Sequence, residues 1–273
     1  MIAFAHLDTA HAFGGTAKIC SEGADIVYDY EGEGPLLLMV PGAGGDARLH
    51  AALARVLRRR YLVVRHDRRC NARSTGDRNR PLDVAQHARD AAAVIEAMES
   101  GPAYVFGSGA GGAIALQLAS EAPDLVRGMV VHEPLLPSLL SDAAAWQTVF
   151  GRIEAAVEAQ GVGPAARLLA GVTGVRHPDA KLDIFLRREL GPFSRFVPDM
   201  ALLRRNKVAM VAAAGHLNRQ ACEARAAVCV AGAIGCPFHT IGGGSLAFTV
   251  DPAGFAVELE ALLDRVKAQP NAR

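Results

Sequence analysis

Residues 103–112, Ala103-Tyr-Val-Phe-Gly-Ser-Gly-Ala-Gly-Gly112, decide the fold of this chain. They begin with apolar residues, pass into a run of small residues, and lead into the apolar segment 113–119. A short apolar run bounded by glycine is typical of a buried strand, and glycine permits a sharp turn directly after it. The stretch therefore predicts a buried strand, a tight turn around residue 109, and a helix.

The same succession of strand and helix is predicted on both sides of this stretch. Strands are predicted at residues 16–20, 24–30, 36–40, 61–65, 126–131, 207–213 and 237–241. Helices are predicted at residues 46–59, 84–98, 146–160, 181–190, 218–227 and 252–267. After an N-terminal hairpin, this alternation indicates an α/β fold with a mostly parallel central sheet and helices on both faces.

The alternation stops in the middle of the chain. Residues 141–206 contain helical stretches and Gly-Pro punctuation but no evident strand. A helical insertion after a strand end is typical of a lid over the pocket beneath it. We therefore expect a core formed by residues 1–137 and 207–273 and a helical lid formed by residues 138–206.

Composition and charge exclude several classes of function. The 273 residues carry a formal net charge of +1, so neither nucleic acid nor an anionic membrane is indicated as a partner. No apolar run has the length of a membrane span, and residues 1–17 lack the pattern of a signal peptide, which favours a cytoplasmic protein. The five cysteines form no C-x-x-C pair, so no metal site is indicated, and no cofactor is expected.

A second glycine-rich turn follows the predicted strand 36–40. The sequence there is Pro41-Gly-Ala-Gly-Gly45, and its glycines allow backbone amides to approach a ligand closely. The amide of Ala110, at the start of the helix after residue 109, has no helical acceptor and favours negative charge. Ala43, Gly44, Gly109 and Ala110 are therefore candidate substrate-binding residues.

The chain resembles the α/β-hydrolase superfamily over nearly its whole length. Residues 107–111 match the frame of the nucleophile elbow, G-x-S-x-G, and residues 67–74 resemble the family stretch D-R-R-G-x-G-R-S, with Cys70 and Ala72 at its glycines. The segment His132-Glu-Pro134 and the glycines before the last helix also fit in order. The resemblance implies that Ala43 and Ala110 supply the two amides of an oxyanion hole.

The resemblance fails at the catalytic triad. The family places a serine at the elbow, an acid after a late strand, and a histidine before the last helix. Here residue 109 is glycine, Ser245 occupies the histidine position, and residues 213–218 contain no carboxylate. An alternative register places Gly244 at the histidine position, and glycine cannot supply the imidazole either. The chain therefore resembles an atypical branch of the superfamily that lacks the Ser-His-Asp triad.

Other residues are candidates for the vacated roles. Ser108 is one residue from the elbow tip, and His132, His216 and His239 lie at or within predicted strands. Each histidine is also explained as a structural or surface residue. Glu133 follows a strand at the edge of the sheet where doubly wound folds bind ligands, so it is either a general base or an anchor for the lid.

Three functions remain open from the sequence. The leading hypothesis is a non-hydrolytic, cofactor-free enzyme that acts by proton transfer, as an epimerase, isomerase or cyclase, on a peptide or small organic substrate under the lid. It resembles in type the triad-lacking peptidyl-aspartate epimerase of the bottromycin pathway, which suggests natural-product biosynthesis. In this hypothesis Glu133 and His132 are the candidate catalytic residues, and Ser245 belongs with the substrate-binding set. The alternatives are a non-catalytic ligand-binding pseudoenzyme and an ester or amide hydrolase with an unusual nucleophile.

Overall fold

The computed structural model describes residues 14–175 and 179–269, and these residues build one eight-stranded sheet. The strand order is β1-β2-β4-β3-β5-β6-β7-β8. The pairs β1–β2 and β2–β4 are antiparallel, whereas the remaining pairs are parallel. The predicted α/β-hydrolase sheet is confirmed, and the prediction about a signal peptide falls mainly on residues 1–13, outside the described residues.

Most elements lie close to their predicted positions, but the helix predicted at 218–227 begins and ends later, at Cys222–Ile234. The strands are β1 (Gly15–Ser21), β2 (Ala24–Glu31), β3 (Leu36–Val40), β4 (Leu62–His66), β5 (Ala103–Ser108), β6 (Val126–His132), β7 (Met210–Gly215) and β8 (Phe238–Ile241). The helices are α1 (Ala51–Leu57), α2 (Val84–Ala97), α3 (Ala110–Glu121), α4 (Ala143–Gln160), α5 (Val162–Thr173), α6 (Asp179–Ile184), α7 (Leu190–Arg195), α8 (Met200–Asn206), α9 (Cys222–Ile234), α10 (Ala247–Val250) and α11 (Pro252–Lys267). No helix in this described part of the chain is long and apolar enough to cross a membrane.

Two hydrophobic cores lie on opposite faces of the sheet. One contains buried residues of α2, α3 and the inserted helices, and the other contains buried residues of α1, α10 and α11. Strand β5 contributes to both, since Val105 faces the first core and Phe106 faces the second. This two-sided burial explains why the central strands are continuous apolar runs.

Close packing of α3 against the sheet requires glycine. A Cβ atom on Gly111 would overlap the carbonyl oxygen of Val40 at the end of β3, and a Cβ atom on Gly107 would overlap the carbonyl oxygen of Gly111. The first turn of α3 therefore lies almost in contact with the backbone of β3 and β5. This contact fixes where the N-terminus of α3 points.

Helices α4 to α8 lie between β6 and β7, within the residues for which a helical lid is predicted. Helix α6 passes through a π-helical turn, Phe185–Glu189, directly into α7, so the predicted helix 181–190 extends to Arg195. Pro192 has no N–H to donate, and the carbonyl of Arg188, four residues before it, accepts instead from the N–H of Leu82 at 3.0 Å. The π turn presents Phe185 and Glu189 toward the core of the molecule, where both are buried.

A buried ion pair joins this insertion to the sheet. Nη2 of Arg68, in the loop after β4, lies 2.7 Å from Oε2 of Glu189, and both side chains are fully buried. The other carboxylate oxygen lies 3.1 Å from Nε2 of His87 and accepts a hydrogen bond of 3.2 Å from the Asn71 amide. The guanidinium of Arg68 holds the pKa of the Glu189 carboxyl below its ordinary value, against the opposing effect of burial.

We predict that Glu189→Ala lowers the free energy of unfolding by about 3–5 kcal/mol, because Arg68 would remain buried without a counter-ion. The measurement is urea unfolding at pH 7. The double substitution R68M/E189M should recover much of the loss, since it removes both charges. Glu154→Ala, which breaks the exposed pair with Arg195, serves as the control and should change stability by about 1 kcal/mol or less. A loss in E189A no larger than that in E154A would contradict a stabilising role for the buried pair.

Candidate active site

The turn after β5 has the backbone shape of a nucleophile elbow. Gly109 adopts φ 60° and ψ −124°, a conformation that costs a side-chain-bearing residue about 1–3 kcal/mol. Its N–H donates to the carbonyl of His132 at 3.1 Å, and its carbonyl accepts from the N–H of Leu135 at 3.0 Å. A Cβ atom on Gly109 would meet only Cα of Gly42, at 4.0 Å. The space of a nucleophile side chain is therefore open.

Two backbone amides belong to this turn region. Ala43 follows β3, and Ala110 is the first residue of α3, where its N–H has no intrahelical acceptor. The carbonyl oxygen of Ala43 accepts a hydrogen bond of 3.4 Å from Nη2 of Arg68, the same nitrogen that pairs with Glu189. The buried ion pair thus also holds the peptide group that leads out of Ala43.

These residues line one cavity between the sheet and the insertion. The space that these residues surround is about 660 Å³ when the open solvent at its mouth is included. The insertion contributes Leu169, Thr173, Val175 and Phe185, and the core contributes the apolar residues Leu49, Leu135, Leu246 and Phe248. The walls are thus largely apolar.

The cavity collects most of the residues singled out from the sequence. Ala43, Gly109, Ala110, Glu133 and Ser245 all line it. Gly44 and His132 are not among its lining residues. Gly109 at the turn and Ser245 therefore face the same space, and the assignment of these residues as a functional site stays a prediction.

Glu133 is held in a strained backbone conformation beside this space. Its φ is +41°, which is uncommon for a residue with a side chain. Two hydrogen bonds to β7 stabilise it: its N–H donates to the carbonyl of Ala213 at 2.9 Å, and its Oε1 accepts from the N–H of Gly215 at 2.8 Å. Strain of this kind is often associated with functional sites, and here it turns the carboxyl group from the end of β6 toward the cavity.

A second carboxyl group, missed by the sequence analysis, lines the cavity. Glu223 lies in the first turn of α9 and is only 9% exposed. Its pKa is raised to about 7, chiefly by burial; its own backbone N–H lowers the pKa, and the negative charge of Glu133 raises it. The sequence shows an acidic residue at the start of the helix that follows β7, but it does not reveal that this side chain faces the cavity.

His132 lies beneath the site rather than in it. Its Nδ1 is 3.0 Å from Oγ of Ser108, and its ring packs against Phe106 and Phe255. Complete burial lowers its pKa to about 4, so the imidazole is neutral at pH 7. A buried neutral ring in an aromatic core is typical of a structural histidine, and this position does not favour a catalytic role.

The other two histidines also lie outside the cavity lining. His216 is exposed, and its Nδ1 accepts a hydrogen bond of 3.0 Å from the N–H of Gly243, so it fixes the loop that carries Ser245. His239 lies in the edge strand β8. Among residues 14–175 and 179–269, no group of three or more His, Cys, Asp and Glu side chains is arranged to hold a metal ion.

Gly109→Ala should lower the free energy of unfolding by about 1–3 kcal/mol although its methyl group has space, because alanine must adopt the left-handed φ. Gly151→Ala is the matched control: Gly151 lies within α4 and its Cβ would also meet nothing within 4 Å, so this change should stabilise by about 0.5–1 kcal/mol. Thermal or urea unfolding measures both. Equal effects in the two variants would mean that the elbow turn relaxes freely.

Comparison with known proteins agrees with this geometry. The family model described as alpha/beta hydrolase fold matches residues 35–179, just over half of the chain. The chain is 40% identical over 119 residues to the uncharacterized hydrolase YraK of Bacillus subtilis, covering 43% of this chain and 44% of that one. It is 32% identical over 116 residues to pyrrolizixenacetamide deacetylase of Xenorhabdus hominickii, covering 42% and 43%. The matches therefore span less than half the length of these relatives.

A solved structure extends the likeness to nearly the whole chain. An α/β hydrolase from Sphaerobacter thermophilus superposes with a TM-score of 0.73 at 21% identity, covering 90% of this chain and 100% of that one. Identity at this level shows the fold alone. Together with the family model and the eight-stranded sheet, it leads to one conclusion: the chain belongs to the α/β-hydrolase family.

Proposed function

We propose that this protein is a cofactor-free enzyme that acts by proton transfer on a carbonyl compound bound between the sheet and the inserted helices. The observation that carries the proposal is the composition of the cavity: its lining includes Ala43 and Ala110, whose amides would bind a carbonyl oxygen, the carboxyl-bearing Glu133 and Glu223, and an elbow residue that is glycine. Such a site can polarise a carbonyl but offers no hydroxyl at the elbow tip for acyl transfer.

The amides of Ala43 and Ala110 would stabilise negative charge as it develops on the carbonyl oxygen. Because the α-proton of a carbonyl compound is lost to form an enolate, donors aimed at that oxygen lower the barrier. The N-terminus of α3 adds a favourable electrostatic contribution at Ala110. These interactions come from the backbone, so they do not depend on the missing triad side chains.

Glu223 is suited to move the proton. As a carboxylate it would remove a proton from the α-carbon, giving a neutral carboxyl group and an enolate. Return of the proton to the opposite face of the same carbon, after the enolate has turned in the cavity, gives epimerisation, and return to another atom of the enolate gives isomerisation. Addition of the enolate carbon to an electrophilic group of the same substrate, with the proton of Glu223 passing to that group, gives cyclisation. A group with a pKa of about 7 exchanges protons in both directions at neutral pH, and Glu133 raises that pKa by its charge.

Residues 138–206 would act as the lid in this reaction. Leu169, Thr173, Val175 and Phe185 provide apolar walls over the carboxyl groups. Apolar walls exclude water, which strengthens hydrogen bonds to the enolate and keeps a carboxyl group partly protonated. A peptide or a small organic molecule from a natural-product pathway is the substrate that we favour, because the vacated triad and this lid resemble the triad-lacking epimerase type.

Ester or amide hydrolysis is the second candidate function. The relatives named above include hydrolases, and Oγ of Ser108 lies 3.0 Å from Nδ1 of His132. The physical difficulty is the histidine: its pKa is lowered to about 4, so the buried imidazole is a weak base for activating a hydroxyl group. The carboxyl groups of the cavity favour proton transfer over this route.

The proton-transfer proposal is tested by deuterium exchange. Amino acid amides, short peptides and β-keto esters are incubated with the protein in D₂O, and loss of the Cα–H signal is followed by NMR. Exchange should rise with pH through about 7 as Glu223 ionises. Glu223→Gln should slow it by about 100-fold or more, because the group that moves the proton is removed. Glu133→Gln should keep exchange but move the inflection to lower pH, since it removes a charge that raises the pKa of Glu223.

Glu158→Gln, at an exposed position of α4, controls for nonspecific effects of removing a carboxylate and should leave exchange unchanged. Exchange that persists at the wild-type rate in Glu223→Gln would refute the proposed role of Glu223. Bound ligand without exchange in any variant would instead favour a non-catalytic binding protein.

A serine-reactive phosphonate tests the hydrolase candidate. We expect no covalent labelling of the wild-type protein, because the elbow tip has no hydroxyl group and His132 is a weak base. The double substitution G109S/S245H restores a serine and a histidine in the cavity and should introduce labelling, detected by mass spectrometry. Labelling of the wild type that disappears in Ser108→Ala would establish Ser108 as a nucleophile and overturn the proton-transfer proposal.

A further inference from the structure

The polar groups of the cavity are arranged by type along the sheet. The loops that carry the amides follow β3 and β5, whereas Glu133 follows β6 and Glu223 begins the helix after β7. Because β3, β5, β6 and β7 are neighbours in that order, hydrogen-bond donors lie toward one side and carboxyl groups toward the other. Adjacent strands are about 4.8 Å apart, so a donor and a carboxyl group are separated by one strand spacing, from β5 to β6, up to three, from β3 to β7.

The carboxyl side is acidic and Glu223 has no side-chain partner there. Of the residues described, none that lines the cavity is Lys, Arg or His. The basic side chains around the insertion are engaged elsewhere: Lys181 lies 3.0 Å from Asp46, and Arg68 is paired with Glu189. Within the described chain, Glu223 is nine-tenths buried, lines the cavity, and has only its own backbone N–H as a hydrogen-bond partner.

Opposite polarity at the two sides selects a ligand with two matching groups. A carbonyl oxygen accepts from the amides of Ala43 and Ala110, and a cation is attracted by the carboxyl groups. A carboxylate at the second position would be repelled by Glu133 and would not compensate the desolvation of Glu223. Ala110 and Glu133 follow the adjacent strands β5 and β6, and this nearest donor and carboxyl group suit a cation that lies one or two carbons from the carbonyl.

Building on the proposed function, we propose that the cavity takes an α-amino carbonyl compound, such as an amino acid ester, an amide or a peptide N-terminus. Its protonated amine lies against Glu133 and Glu223, and its carbonyl oxygen lies at the amides of Ala43 and Ala110. The α-carbon then lies between the two sides, next to Glu223. The C–H bond to be broken then lies between the carbonyl and the protonated amine, and both groups make its proton more acidic.

The protonated amine also prepares Glu223 for its role. A positive charge beside a carboxyl group lowers its pKa, so ligand binding at pH 7 drives a proton from Glu223 into solution. The carboxylate needed to remove the α-proton is therefore formed when an amine-bearing ligand enters. Binding of such a ligand must be accompanied by proton release.

Calorimetric titration of the full chain with three ligands of matched length tests this inference. The ligands are 4-phenylbutylamine, the neutral 4-phenylbutan-1-ol and the anionic 5-phenylpentanoate. At pH 7 the amine should bind at least about 10-fold more tightly than the carboxylate. Titrations in two buffers of different ionisation enthalpy should give release of up to about half a proton per amine bound, since Glu223 is about half protonated at this pH.

Two variants identify the group that releases the proton when the amine binds. Glu223→Gln should bind the amine without proton release, and Glu158→Gln should behave as the wild type. At pH 6, glycine benzyl ester should bind more tightly than 4-phenylbutylamine, which has the same length but no carbonyl. Equal or tighter binding of 5-phenylpentanoate, or unchanged proton release in Glu223→Gln, would overturn the inference.

These experiments distinguish failure of the inferred substrate class from failure of the proposed proton-transfer function. Deuterium exchange on a substrate without an amine, together with tight binding of 5-phenylpentanoate, would overturn the substrate class and leave proton transfer standing. Amine binding with proton release but without exchange on any amino carbonyl compound would support the binding inference and overturn the proposed function.

Discussion

The backbone conformation of Gly109 is the constraint on which the rest of the site depends. Its N–H and carbonyl are both held by the segment 132–135, so the turn is tied to the end of β6 as well as to β5. This tie sets the direction of the first turn of α3, which carries the amide of Ala110. It also sets the start of the segment in which Glu133 turns toward the cavity. One turn thus positions a hydrogen-bond donor and a carboxyl group together.

The Arg68–Glu189 pair gives the insertion a second connection to this site. Arg68 contacts the carbonyl of Ala43 with the same nitrogen that pairs with the insertion, so the loop that carries Ala43 and the π turn share one guanidinium. Phe185, at the start of that π turn, lines the cavity. A displacement of the insertion would therefore disturb both the apolar wall and the Ala43 peptide. We expect the two to move together rather than independently.

Much of the fold was predictable because buried strands and tight turns require particular residue types at particular positions. Apolar runs identified the buried strands, and the glycines at 107 and 111 identified the frame of the elbow turn between β5 and α3. The stretch at 67–74 is informative in another way: Cys70 and Ala72, which replace the glycines of the resembled family stretch, have φ values of 63° and 45°. The turn geometry expected of glycine is kept although the glycines are absent.

The site was only partly predictable, because side-chain direction depends on tertiary packing. Glu133 was identified since it directly follows a strand at the ligand-binding edge. His132 precedes it, yet its side chain enters the aromatic core beside Phe106, as the alternation along β6 dictates. Glu223 lies one turn into a helix, where any of several directions is compatible with the sequence. Only the packing of α9 beside β6 and β7 brings its carboxyl group close to Glu133.

A site built on main-chain amides has a consequence for how such a protein can change over time. No single substitution removes the N–H groups of Ala43 and Ala110, short of proline or a change of the turn itself. Affinity for a carbonyl group can therefore persist while the residues that perform chemistry are lost or exchanged. A chain of this kind can pass through inactive forms as a binder and acquire a different reaction later, with the elbow preserved throughout.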